Sequence, residues 1–453
     1  MESRYEDLIR RVERHRDLIF AAAEHLWKNP ETGYKEWKSH TYLKNAYERL
    51  GFTLTEAGDI PGFYGELDTG RPGPTIQFMA ELDAVKCATH PDCDPETKAV
   101  HACGHCCQSA GVLGVAAALS EPGALDGLCG KIRFLEVPAE EALEIGYRES
   151  LREQGVIRYF GGKQEFLARG LFEGADLNVL IHTTGTDPAG TGYIIRGGNG
   201  FLLKNYTFRG KSAHAAGSPH KGVNALYAAT QALTAINALR ETFPDSESVR
   251  THPIVTSGGT VVNAIPELVT VENYIRGATV ETMIREGEKL DRAVAGSALS
   301  LGANVTFRNR PGYLPMYNDP ALSAACRDAM TVVLGEGTAK ITDKWIGGSS
   351  DMGDLAALMP TVYVSVGGAH GKAHGDDYDV SDTETLCVNP AKILAVLAKM
   401  LLENGGEKAC AIRDGYRPLY RSKEEYCAAM DALTMDGDAV AYREDGAAQV
   451  RWK

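Results

Sequence analysis

Four short runs in this 453-residue chain read as strands, and helical patterns fall between them. They are TIQFMAEL at 75–82, GKIRFLEV at 130–137, LNVLIHT at 177–183 and PTVYVSVGG at 360–368. Strands alternating with helices dictate an α/β layer with a largely parallel sheet, because a parallel pair needs a crossover. The helical patterns include residues 5–28, with apolar positions at Leu8, Ile9, Val12, Leu18, Ile19, Ala22 and Leu26, the small-residue run SAGVLGVAAALS at 109–120, and PAKILAVLAKMLLEN at 390–404. Such sheets collect ligands at the carboxyl ends of their strands. His182 and the Glu140–Glu141 pair both fall at strand ends.

The alternation breaks near residue 197. GFLLKNYTFRG, a helix at about 221–240, VTVENYIRG, a helix at about 281–301 and NVTFRNRP follow, which predicts two helices on a small antiparallel sheet. After Pro311 the strand and helix patterns resume. The expected organisation is a mainly parallel-sheet α/β domain of residues 1–197 and 310–453, interrupted by an α+β domain at 198–309. The tail beyond Gly405 is polar and acidic in places, and receives no functional reading.

Composition narrows the partners. A net charge of −13 argues against nucleic acid and anionic membranes, which need a basic surface. The opening MESRYEDLIRRVERHRDLIF is charged from its second residue, unlike a secretory signal, and no uninterrupted apolar run approaches bilayer-spanning length. Ten cysteines at irregular spacing read as reduced thiols or ligands rather than a disulfide framework. A soluble cytoplasmic enzyme is expected.

The chemistry centres on HACGHCC at 101–107. CGHC matches a thiol–disulfide motif, whereas Cys103 and His105 in a loop before a helix suit metal ligation. The redox reading meets Ala102 where an aromatic residue is usual, and it leaves three other features unexplained. PAEE at 138–141 sets two carboxylates side by side; they repel unless a cation or proton lies between them, which permits one ligand and one base. His182 ends an apolar strand. His370 and His374 sit in GGAHGKAHGDDYDVSD. Each has a bland reading alone: a helix N-terminus for the glutamates, a core or exposed histidine for the others. Together, at successive strand ends, they form a constellation.

With these residues in hand, the chain resembles the aminoacylase/carboxypeptidase family of co-catalytic metallopeptidases, in particular its amidohydrolase subgroup. That subgroup includes aminobenzoyl-glutamate, hippurate and auxin-conjugate hydrolases. The resemblance runs from about residue 15 to 405, through NPETGYKEWKS, FMAELDAV, HACGH, PAEE, the His after LNVL, FRGKSAHAAGSPHKGVNAL, VVNAIPE, NYIRGAT, GGSSDMGDL and HGDDYDVSD. It implies two divalent metal ions per subunit, bridged by Cys103 and completed by His105, Glu141, His182 and His374, the last preferred to His370. Zinc suits that mixed donor set best, with manganese, cobalt or nickel compatible. Asp83 would orient a ligand from behind, and Glu140 would be the general base acting on metal-activated water. His214 would stabilise the oxyanion in a partner subunit's site, which implies a homodimer formed through the inserted domain, acting as a lid. Asn263 and Arg276 would clamp a substrate carboxylate. The implied substrate is a small amide: an N-acyl, N-aroyl or N-aminoacyl amino acid.

The chain also departs from the subgroup. Cys106 and Cys107 stand where it has Asp or Asn, HTTG lacks a proline often found after the histidine, and EIGYRESLREQGVIRYFGGKQEF lengthens the interval after PAEE, where it is expected to shape the substrate pocket. The alternatives are a metal-binding relative that has lost hydrolysis and, at greater distance, a thiol–disulfide oxidoreductase.

Overall fold

The computed structural model describes residues 4–451, which divide into two compact units. The first runs up to Gly197 and adds Tyr317–Trp345 and Asp351–Lys423; the second comprises Gly198–Met316, Ile346–Ser350 and the chain from Glu424 onward.

The first unit is built on eight strands: β1 (Leu54–Glu56), β2 (Phe63–Asp68), β3 (Thr75–Glu81), β4 (Lys131–Val137), β5 (Leu177–Thr184), β6 (Gly192–Ile194), β12 (Ala339–Ile341) and β13 (Thr361–Gly367). Their order is β1-β2-β4-β3-β5-β13-β6-β12. The four central strands β4, β3, β5 and β13 are mutually parallel, whereas β1, β2 and β6 join antiparallel. Every residue of β3 is buried, as a strand covered on both faces requires. Helix α4 (His105–Leu119) is buried along its whole length and packs against α2 (Arg16–Lys28) and α10 (Asn389–Leu402). Its alanines and glycines allow this close packing on three sides. The expected helix over 5–28 is in fact α1 (Glu6–Arg14) and α2, broken at His15, whose imidazole turns to Glu121 at 3.0 Å. Residues 384–402 are long and apolar enough to cross a bilayer by composition, yet most of this stretch is buried in the core of the unit.

The second unit is antiparallel: β7 (Gly200–Arg209), β8 (Arg250–Thr251), β9 (Ile254–Ser257), β10 (Leu268–Gly277), β11 (Asn304–Pro311), β14 (Met435–Tyr442) and β15 (Ala448–Val450). The order is β8-β10-β7-β11-β14-β15, with β9 also on β10. Helices α7 (Ala225–Leu239) and α8 (Val280–Ser300) bury their apolar faces in its core. The division differs from the sequence expectation in the tail. Residues from Glu424 onward belong to this second unit, because β14 pairs along β11 from Asn309↔Met435 to Val305↔Val440 and extends the sheet beyond the expected small one.

Candidate functional site

Parallel neighbours end at the same edge of a sheet, and four such ends supply the site in the first unit. Asp83 follows β3, Glu140 and Glu141 follow β4, His182 lies near the end of β5, and the His374 loop follows β13. Cys103 and His105 come from the turn into α4, where Gly104 takes φ +79°. A Cβ there would stand 2.1 Å from the Thr183 hydroxyl, so this left-handed turn is open only to glycine.

The donor atoms fall into two triads sharing one sulfur: Cys103, His105 and His182 form one, Cys103, Glu141 and His374 the other, each within 4.8 Å mutually. Cys103 Sγ lies 3.4 Å from His182 Nε2, and His374 Nε2 lies 2.9 Å from Glu141 Oε1. His105 Nδ1 is engaged by the Asp83 carbonyl at 2.8 Å and stands 3.2 Å from its carboxylate; its buried Nε2 has no hydrogen-bond partner. A histidine held through one nitrogen presents the other to a metal. His182 is held likewise, Nδ1 donating to the Thr183 carbonyl at 2.6 Å. Both His374 and His370 are exposed, but His374, at φ +64°, is tied to the site by its amide donating to the Ala102 carbonyl and by its ion pair with Glu141, whereas the backbone of His370 is bridged to Asp379.

Burial raises the Cys103 thiol, but the imidazoles of His182 and His105 more than offset it and hold the thiol well below its usual range. Burial, then the Cys103 charge, pushes Glu141 up to about 7. Burial and the charges of Glu81, Glu141 and Asp351 push Glu140 well above an ordinary carboxyl. Crowded acidic groups with soft, nitrogen and oxygen donors are a cradle that divalent cations relieve. The donor set fits a metal pair, and the residues that would hold it are Cys103, His105, Glu141, His182 and His374.

Three residues that sequence reasoning missed lie beside this cradle. Lys163 is fully buried; its ammonium donates to Glu81 at 2.5 Å and to Asp351, whose other oxygen accepts the Lys163 amide at 2.9 Å. Glu140 groups with His105 and Glu141 and also with Glu81 and Asp351, and Glu81 stands 3.2 Å from His105 Nε2. Burial raises Glu81, yet Lys163, His105 and His182 bring it down to about 2. The matching charges at a strand end (Glu81) and in GGSSD (Asp351) were the available signal.

Cys106 and Cys107 are buried in α4, and a hydrogen bond with the Cys107 thiol together with burial raises Cys106 well above the usual thiol range. Neither behaves as an exposed, activated redox thiol, and all ten cysteines are free.

The remaining candidates lie in the second unit. His214 is exposed, and its Nδ1 accepts from the amides of Ala216 and Gly217, which leaves the proton on Nε2. Asn263 adjoins it, its carbonyl accepting the Ala215 amide at 2.9 Å. Arg276 lies over the rings of Phe201 and Tyr274 and donates to Ser349 at 2.6 Å; no carboxylate pairs with it among the described residues.

Comparison with known proteins places this geometry. Residues 78–400 match the model of peptidase family M20/M25/M40, and the chain belongs to that family. It is accordingly a hydrolase acting on amide bonds. It is 27% identical to the N-acetyl-L-cysteine deacetylase of Bacillus subtilis over 323 residues, 69% of this chain and 71% of that enzyme. It is 31% identical to the indole-3-acetyl-aspartic acid hydrolase of Enterobacter agglomerans over 267 residues, 55% of each. A solved Bacillus subtilis structure, described as a dinuclear metal binding peptidase from this family, shares the fold with a TM-score of 0.64 at 20% identity, covering 86% of this chain and 99% of that one.

Proposed function

We propose that the protein is a dinuclear metal-dependent amidohydrolase that cleaves the amide between an acyl, aroyl or aminoacyl group and an amino acid. The observation that carries this reading is the sharing of Cys103 Sγ between two donor triads. Held there, two divalent cations, zinc foremost, would acidify water and polarise the scissile carbonyl. The rest is the work of this chain's residues. Glu140, grouped with His105 and Glu141 on one side and with Glu81 and Asp351 on the other, is placed to take a proton from the attacking water and return it to the leaving amine. A carboxyl raised by burial suits both directions of that transfer. Asp83 holds His105 in the tautomer that leaves Nε2 for the metal.

Arg276 is assigned to a carboxylate of the substrate, since its guanidinium is stacked, half-buried and without an acidic partner among the described residues. Asn263 would assist it, and His214, with a proton on Nε2, suits an oxyanion. A homodimer through the second unit is favoured by the open edge strand β9, exposed throughout, with Val261, Val262 and Tyr227 exposed as well. The acyl amino acids acted on by the relatives make that substrate class the first to screen.

The test is metal analysis with a hydrolysis screen over N-acyl amino acids, aminobenzoyl-glutamate and dipeptides. Glu140→Gln should retain the metals and lose on the order of 1,000-fold or more in kcat. Stoichiometric metal with no turnover of any member of the screen would count against the reading.

A further inference from the structure

Glu140 and Glu141 are consecutive, and both carboxylates reach the donor cluster: they group together with His105, while Glu140 also joins Glu81 and Asp351 and Glu141 also joins Cys103 and His374. The turn that presents these adjacent carboxylates is unusual: Ala139 just before them has φ +57°, a left-handed conformation costly for alanine. A strained turn persists only where its surroundings over-determine it. Here they do. The Ala139 amide donates to Glu36 at 2.8 Å, and the Glu141 amide donates to Asp83 at 2.9 Å. The carbonyls on both sides of Glu140 are gripped by one guanidinium: Arg148 donates to Ala139 at 3.2 Å and to Glu141, and ties both to the Phe160 carbonyl at 2.6 Å.

Arg148 comes from α5 (Ile145–Glu153), inside the stretch whose length sets this chain apart after PAEE. It is 1% exposed and lies over the Tyr34 ring. Gly33 admits it: a Cβ on Gly33 would stand 2.4 Å from the guanidinium and 3.0 Å from Ala139 Cα. A guanidinium has a planar fork of donors, which an ammonium cannot reproduce across three carbonyls.

We propose that Arg148 is a positioning residue for Glu140, and that the segment after PAEE is an internal brace that fixes where the proton-transferring carboxylate points. This rests on Glu140 being the general base. Arg148 acts through the carbonyls of Ala139 and Glu141, the residues on either side of Glu140.

The test compares Arg148→Lys, Arg148→Ala and Gly33→Ala with the parent as metal-loaded protein, with Glu140→Gln alongside. Arg148→Lys should lower kcat about 10- to 100-fold, as expected for a catalytic group displaced by about 1 Å, with KM within about threefold and metal content unchanged. Gly33→Ala, which presses on the guanidinium and on Ala139 without removing either, should give a smaller loss in kcat of the same kind. Millimolar ethylguanidinium should restore kcat of Arg148→Ala at least about tenfold, and ethylammonium should not. A folded Arg148→Lys with parental kcat would overturn the proposal. Loss of metal in step with kcat would overturn it too, by moving the effect from Glu140 to Glu141. Should Glu140→Gln stay active, the base assignment itself falls, which the Arg148 variants alone would not reveal.

Discussion

Two buried lysines, one in each unit, keep different company. Lys204 meets a single carboxylate, Asp291, at 2.7 Å, whose oxygens are completed by the Tyr206 hydroxyl at 3.0 Å and the Asn309 amide at 3.1 Å. One cation, one anion and neutral donors make a closed, balanced set. Lys163 meets two carboxylates, with Glu140 grouped beside them and His105 within reach of Glu81. That set carries surplus negative charge where the proposed metal ligands converge. The contrast separates charge buried to hold a fold from charge buried to serve chemistry: both lysines stabilise, but removing only one of them should change what the site can do.

The comparison breaks most visibly at Lys163→Met. This variant should lose about 100-fold or more in kcat and about 3–5 kcal/mol of stability, since two carboxylates are left without their cation. Steady-state kinetics on metal-loaded protein and urea unfolding measure the two effects. Lys204→Met should match it in stability loss but keep kcat within about twofold. If Lys204→Met abolished turnover in a folded protein, or Lys163→Met did not, the distinction would fail. Pairing Lys204→Met with Asp291→Leu sharpens it: removing both charges together should recover most of the lost stability.

A smaller effect tests a buried carboxyl without a cation. Glu136 is held between the Ser109 hydroxyl at 2.7 Å and the Tyr47 hydroxyl at 3.3 Å, and burial pushes it up to about 8 from an ordinary 4.5. Between those values the folded state holds a proton that the unfolded chain has released, so its contribution to stability falls as pH rises through the window. Glu136→Gln stays neutral throughout, so unfolding measured from pH 5 to 8 should decline less steeply than in the parent. An unchanged slope would show that Glu136 ionises normally. The smallest effect belongs to the pairing of β11 with β14. Thr306→Ala removes a 2.6 Å hydrogen bond to Asp438 and should cost about 0.5–1 kcal/mol in urea unfolding.

The same contrast explains what the sequence made legible. Glu141, His182 and His374 stand in short motifs at or just after the ends of predictable strands, and Cys103 and His105 in a short motif opening a helix, so each could be found locally. The Lys163 set joins residues 82 and 188 apart in the chain, and Glu81 looks like any charge closing a buried strand. Arg148 was hidden for a related reason: its partners are backbone carbonyls, which leave no trace in residue type. The tail strand Met435–Tyr442 was missed because only Ala439 and Val440 are buried, too little for an alternating pattern. The break at His15 was missed because the apolar spacing continues across it.

In the proposed site one sulfur joins two metal ions, and metal stoichiometry decides whether it does. Metal-depleted protein, titrated with zinc and freed of excess, should bind two ions per chain. His182→Ala, which removes a donor from one triad, should keep one ion, and Cys103→Ala, which removes the donor common to both, should keep neither tightly. A parent that binds a single ion, or a Cys103→Ala variant that still holds one tightly, would contradict the account.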